Sequence, residues 1–154
     1  MASALPTIPR YVFGIFEPAI LIVAVFITSI WSKYYVSSQS DVPITRPLSQ
    51  SEEIHLYQLS NLFLLIAVTS IYVLNATDDI KVARAFLTAL WWGDVGHLSV
   101  TAWCMRRESL SKLHKWNLVN WGNIAIPTFL FTARTIYLLD LFGGNENAKS
   151  QKQY

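Results

Sequence analysis

The chain has 154 residues, of which 53% are hydrophobic, 14% aromatic and only 14% charged, with a net charge of +2. So small a charge, with no basic run interleaved with aromatics on a polar background, excludes nucleic acid as a partner. A single cysteine, Cys104, excludes an internal disulfide and a cysteine-based metal cluster, and its place at the end of an apolar segment suits a thiol at a membrane boundary.

A hydrocarbon core about 30 Å thick needs about 20 apolar residues in a helix. Stretches near residues 11–31, 54–74, 82–105 and 119–142 reach that length. The expected fold is therefore all-α, a four-helix transmembrane bundle over residues 1–142 with a disordered polar tail at 143–154. The first span follows a proline-containing start without a small-residue cleavage site and reads as retained. Residues 32–51 carry Pro43, Pro47 and several serines and read as an irregular cap, ending in Ser51-Glu52-Glu53, a helix start with acids in its first turn. The connection at 75–80 is short enough to force an antiparallel hairpin. It contains the glycosylation triplet Asn75-Ala76-Thr77, placed too close to the membrane for modification. The loop at 106–117 is basic and amphipathic. Trp31, Trp103, Trp116 and Trp121 fall near span ends, where indoles settle at headgroup level.

Four ionisable residues, Glu17, Asp94, His97 and Arg134, are set into these spans. A charge near mid-bilayer costs roughly 2.5 to 3.5 kcal/mol on insertion scales, so such residues face a bundle interior, have partners and mark function. Because successive spans run in opposite directions, depth decides which can meet. Glu17 and Arg134 each lie on the half nearer the termini, roughly 6 Å from the midplane at 1.5 Å per residue, and are expected to pair as a clamp. Pro18 frees a backbone carbonyl one turn before it.

Asp94 and His97, three apart on one helix face, are expected in a separate layer on the other half. Gln58 and Asn61 of the second span and Asn120 and Asn123 of the fourth lie at comparable depth. The run Leu90-Trp91-Trp92-Gly93-Asp94-Val95-Gly96-His97 offers two glycines for close helix approach and two large π faces. Two readings of this layer are open. Its polar groups can bond helices together, or Asp94 can act as a proton donor in a dry pocket with His97 as relay and the indoles facing a developing cation. The three histidines, His55, His97 and His114, include no His-x-x-x-His pair, so no metal ligand set is expected. No phosphate loop, nucleophile elbow or dinucleotide fingerprint occurs, so no organic cofactor is expected.

Three stretches carry a resemblance: Leu5-Pro6-Thr7-Ile8-Pro9-Arg10 leading to Phe16-Glu17-Pro18, Ala89-Leu90-Trp91-Trp92-Gly93-Asp94-Val95-Gly96-His97, and Asn120-Trp121-Gly122-Asn123 leading to Thr132-Ala133-Arg134-Thr135. Over nearly the whole chain to Gly143 these resemble fungal four-span membrane proteins grouped as a domain of unknown function. Some relatives sit among natural-product biosynthesis genes, where small membrane proteins rearrange or cyclise epoxidised prenyl chains by acid catalysis. The resemblance thus implies fungal origin and secondary metabolism. The activity expected for this chain is that of an isomerase or cyclase of an epoxidised, prenylated terpenoid or alkaloid, and its expected location is the endoplasmic reticulum membrane, crossed several times.

Protonating an epoxide creates a carbocation, which calls for a buried acid, a water-poor cavity, aromatic faces and a base. Asp94 or Glu17 would be the acid, His97 the relay, and Trp91, Trp92, Asn61, Asn123 and Arg134 would bind substrate. On periodicity Trp91, rather than Trp92, shares the Asp94 side. The expected partners are the lipid bilayer, a lipophilic small molecule and other pathway enzymes. A non-catalytic membrane scaffold for such enzymes is the alternative, and a proton-coupled carrier is disfavoured by the lack of an internal repeat.

Overall fold

The computed structural model describes residues 4–39, 44–105, 114 and 116–139. All regular structure among them is helical: α1 (Thr7–Ile30), α2 (Ser32–Ser38), α3 (Gln50–Ala76), α4 (Ile80–Cys104) and α5 (Leu118–Leu138). Two of these, α1 and α3, are long and apolar enough to cross a membrane. The predicted tail at 143–154 and most of the predicted basic loop lie outside the described residues.

Three of the helix starts are made by a capping side chain. For α3 it is a capping box, in which the Ser49 hydroxyl accepts from the Glu52 amide and the Glu52 carboxylate accepts from the Ser49 amide. Arg46 grips the same carboxylate with two bonds of 2.7 Å. The helix thus begins before Ser51, where composition alone places its start. Asp79 caps α4 by accepting from the Lys81 amide at 2.7 Å, which leaves only residues 77–79 between α3 and α4 and produces the expected hairpin. Asn117 caps α5 through the Asn120 amide and donates its Nδ2 to the Ser38 carbonyl at 2.7 Å, fastening α5 to the end of α2. The segment expected to be an irregular cap therefore contains a helix, α2, whose Tyr35 packs with Leu56 and Val119.

Small side chains set the α1–α3 contact. Ala67 and Ser70 of α3 are fully buried, and the Ser60 and Ser29 hydroxyls meet at 2.7 Å across the interface. Helix α1 meets α5 through aromatic edges, Phe13 with Tyr137 and Phe16 with Phe129. In turn α5 packs along α4, so the long helices associate mainly as two pairs, α1 with α3 and α4 with α5, and α3 also touches α4. Phe13, Leu74, Leu87 and Leu130, one from each, close a common core near the end where α3 turns into α4. Large apolar side chains such as Ile22, Phe26, Leu65, Trp92, Val100 and Phe129 remain exposed on the outer surface.

Two prolines break the regular ladder. Residues Val12–Phe16 of α1 form a π-helical segment immediately before Glu17-Pro18. Proline at 18 cannot donate to the carbonyl of Gly14, and the widened turn takes up the mismatch. Pro127 sits inside α5 and withholds a donor from the carbonyl of Asn123.

Candidate functional site

The centre of the molecule is a charged triad. Glu17 lies on α1 directly after the π-helical turn, Asp94 on the middle of α4 and Arg134 on α5. Arg134 donates through Nη2 to Glu17 Oε1 and through Nη1 to Asp94 Oδ2. Its guanidinium also lies 5.3 Å from the centroid of the Phe13 ring. The side chains of Arg134 and Glu17 are 1% and 5% exposed, and that of Asp94 is 15% exposed, so Asp94 is the member that opens outward. Glu17 Oε2 and Arg134 Nε have no hydrogen-bond partner among the described residues.

This arrangement corrects the expectation of two separate layers. The Glu17–Arg134 pair forms as depth arithmetic required, but the same guanidinium reaches Asp94. A long side chain spans the offset that separated the layers, and two carboxylates share one positive charge. Charge balance then matters more than depth, because an unpaired charge in a low-dielectric interior is expensive.

His97, one turn from Asp94, points to α5, where its Nε2 lies 3.0 Å from the carbonyl oxygen of Asn123 and donates to it. That is the carbonyl released by Pro127. The imidazole replaces the missing helical donor, which fixes its Nε2–H and leaves Nδ1 as the acceptor nitrogen. Sequence reasoning overlooked this link, although a proline four residues after Asn123 was the signal for it. The Asn123 amide oxygen also accepts a long bond of 3.5 Å from the Tyr35 hydroxyl. Burial pushes the Tyr35 phenol above its usual value of 10.0, so it remains a donor.

Other expected members fall elsewhere. Asn61 and Gln58 are exposed on the outer side of α3 and take no part in the cluster. Periodicity could not exclude this, because it relates residues on one helix and says nothing of how that helix is rotated toward its neighbours. A Cβ at Gly93 or Gly96 would meet nothing within 4 Å, so neither glycine serves close helix approach. Trp91 is indeed the inner of the two indoles, but it faces α5. Its Nε1 donates to Thr135 Oγ1 at 2.8 Å, and its ring stacks on Phe131 at 5.3 Å. Trp92 is 64% exposed and meets Trp91 edge-on. The two indoles, with Arg84, Thr135 and Leu138, line an open groove of about 360 Å³ between α4 and α5.

Glu17 and Asp94 are the acids the fold brings together, and among the described residues no three His, Cys, Asp or Glu side chains converge as metal ligands. The chemistry this set can perform is proton transfer by two carboxylates, a fixed cation and an oriented imidazole. None of the four lines the aromatic groove; Trp91, which does, lies one helical turn before Asp94.

No curated protein and no solved structure matches the chain. A family described as a domain of unknown function, DUF7704, matches residues 2–144. With its triad, its proline-released carbonyl and its groove all inside the matched region, the chain belongs to the DUF7704 family.

Proposed function

We propose that this protein is a four-span membrane enzyme of the endoplasmic reticulum, an isomerase or cyclase of fungal secondary metabolism acting on an epoxidised, prenylated terpenoid or alkaloid without metal or organic cofactor. The observation that supports it best is that two carboxylates share one buried guanidinium. Arg134 neutralises one of them, so the electroneutral triad holds one acidic proton. Asp94, the member open to the outside, delivers that proton to the epoxide oxygen. The C–O bond breaks with its electron pair going to oxygen, and the carbocation either rearranges or is attacked by a neighbouring alkene. The proton lost from carbon passes to Nδ1 of His97 and returns to Asp94, so that substrate and product are isomers and the enzyme is unchanged. The groove along Trp91 and Trp92 takes the lipophilic chain and offers π faces to the cation. Glu17 is the fixed counter-charge.

The test is turnover of such a substrate by membranes carrying Asp94→Asn, Glu17→Gln or His97→Ala. Loss of about 100-fold or more is expected for Asp94→Asn, the scale of a general acid, and full turnover by all three variants overturns the mechanism. A second reading, a non-catalytic scaffold for pathway enzymes, is supported by the fact that the triad ties α1, α4 and α5 together. On that reading the three variants change stability alone, and capture of the partner enzymes by the intact protein is the positive result.

A further inference from the structure

Helix α3 carries two seams on opposite sides. Leu56, Ser60, Phe63, Ala67, Ser70 and Leu74 recur at steps of 4, 3, 4, 3 and 4; all are buried except Phe63, which is half-buried, and α1 packs over them. Ile54, Gln58, Asn61, Leu65, Val68 and Tyr72 recur at the same steps, displaced by two residues and hence by about 200° around the helix. Every member of this second seam is exposed. Such spacing allows a helix to pack on another helix by knobs into holes.

The composition of the second seam says what covers it. Gln58 and Asn61 have no hydrogen-bond partner among the described residues. The middle of α3 falls at residue 63, so Asn61 lies two residues from it. An amide so placed in a bilayer lacks water to bond, and a carboxamide is both donor and acceptor, complementary to a copy of itself. Two copies inserted with the same orientation and related by a two-fold axis along the membrane normal place their α3 helices in parallel, with the two Asn61 residues at equal depth. In a heptad seam a polar residue at an a position specifies register and oligomeric state, and the 3-residue step from Gln58 to Asn61 puts Gln58 at such a position.

We infer that the protein is a homodimer in the membrane, joined through the seam from Ile54 to Tyr72 of α3, with Asn61 and Gln58 hydrogen-bonding their counterparts across the two-fold axis. This rests on α3 crossing the bilayer and not on the acid chemistry of the triad, which lies on other helices.

The test uses the full chain in native membranes, with Cys104→Ser to remove the native thiol. Single cysteines at Asn61, Leu65 and Val68 are expected to form interchain disulfides under mild oxidation, while Leu64→Cys, as exposed as Val68 but off the seam, does not. Asn61→Leu, in the native chain, is expected to weaken association by about 3- to 20-fold, the range of membrane hydrogen bonds. Cross-linking at Leu64 as strong as at Leu65, or association unchanged by Asn61→Leu, overturns the pairing. Recovery of the protein in the aqueous fraction after an alkaline wash overturns the membrane reading of α3 and this inference with it. Turnover bears on the acid mechanism alone.

Discussion

His97 on α4 donates through Nε2 to the backbone carbonyl of Asn123 on α5, at 3.0 Å. The carbonyl is available because Pro127 has no N–H to give it. One imidazole thereby repairs a broken helix and acquires a fixed tautomer, with Nδ1 as acceptor on a residue one turn from Asp94. One contact both completes the helix ladder and orients the imidazole.

Replacing Pro127 with alanine supplies the missing donor. The carbonyl of Asn123 then regains its helical partner, and the His97 ring loses its fixed orientation. We expect an unchanged or higher melting temperature, since proline inside a helix costs about 3 kcal/mol in an unadapted site, together with reduced turnover. Nitrogen NMR of the imidazole checks the link directly: unshifted His97 resonances in Pro127→Ala contradict it.

Removing Arg134 leaves two carboxylates without their cation. Arg134→Met is expected to destabilise the fold by about 3–5 kcal/mol, the usual consequence of stripping one partner from a buried pair. The triple variant Glu17→Gln, Asp94→Asn, Arg134→Met recovers a large part of that loss. Thermal unfolding in detergent measures both, and failure of the triple variant to recover any stability would show that the three residues are not energetically coupled.

The Tyr35 phenol, raised by burial, adds a pH dependence on the alkaline side. The folded state holds this proton more tightly than the unfolded chain does. Its contribution is therefore complete below the ordinary value of 10.0 and declines as the pH rises through the higher folded value. Unfolding curves from about pH 9 to 11 should show stability falling, with a shallower fall in Tyr35→Phe.

At the start of α3, Ser49→Ala removes the hydroxyl that accepts from the Glu52 amide. A loss of about 1 kcal/mol is expected, as for other capping side chains. The core offers a contrast: Ala67→Leu inserts a large side chain where α1 leaves no space and should cost about 1–3 kcal/mol through overpacking. An Ala67→Leu protein as stable as the native one in thermal unfolding would contradict the close α1–α3 contact.

The four long helices, the hairpin between α3 and α4, the pairing of Glu17 with Arg134 and the nearness of His97 to Asp94 were legible in the amino-acid sequence, whereas helix α2 was not. These follow from rise per residue, hydrophobic periodicity and the cost of unpaired charge, which act along one helix or depend on depth alone. Rotation of each helix about its own axis is a different quantity, decided by what packs against it. It turned Asn61 outward, set Trp91 on Phe131 and Thr135, and left Gly93 and Gly96 in open space. That Arg134 serves both Glu17 and Asp94 likewise emerges from packing alone. The reach of one long side chain exceeds the depth offset between two helices, and sharing one cation between two buried acids changes the charge balance of the whole site.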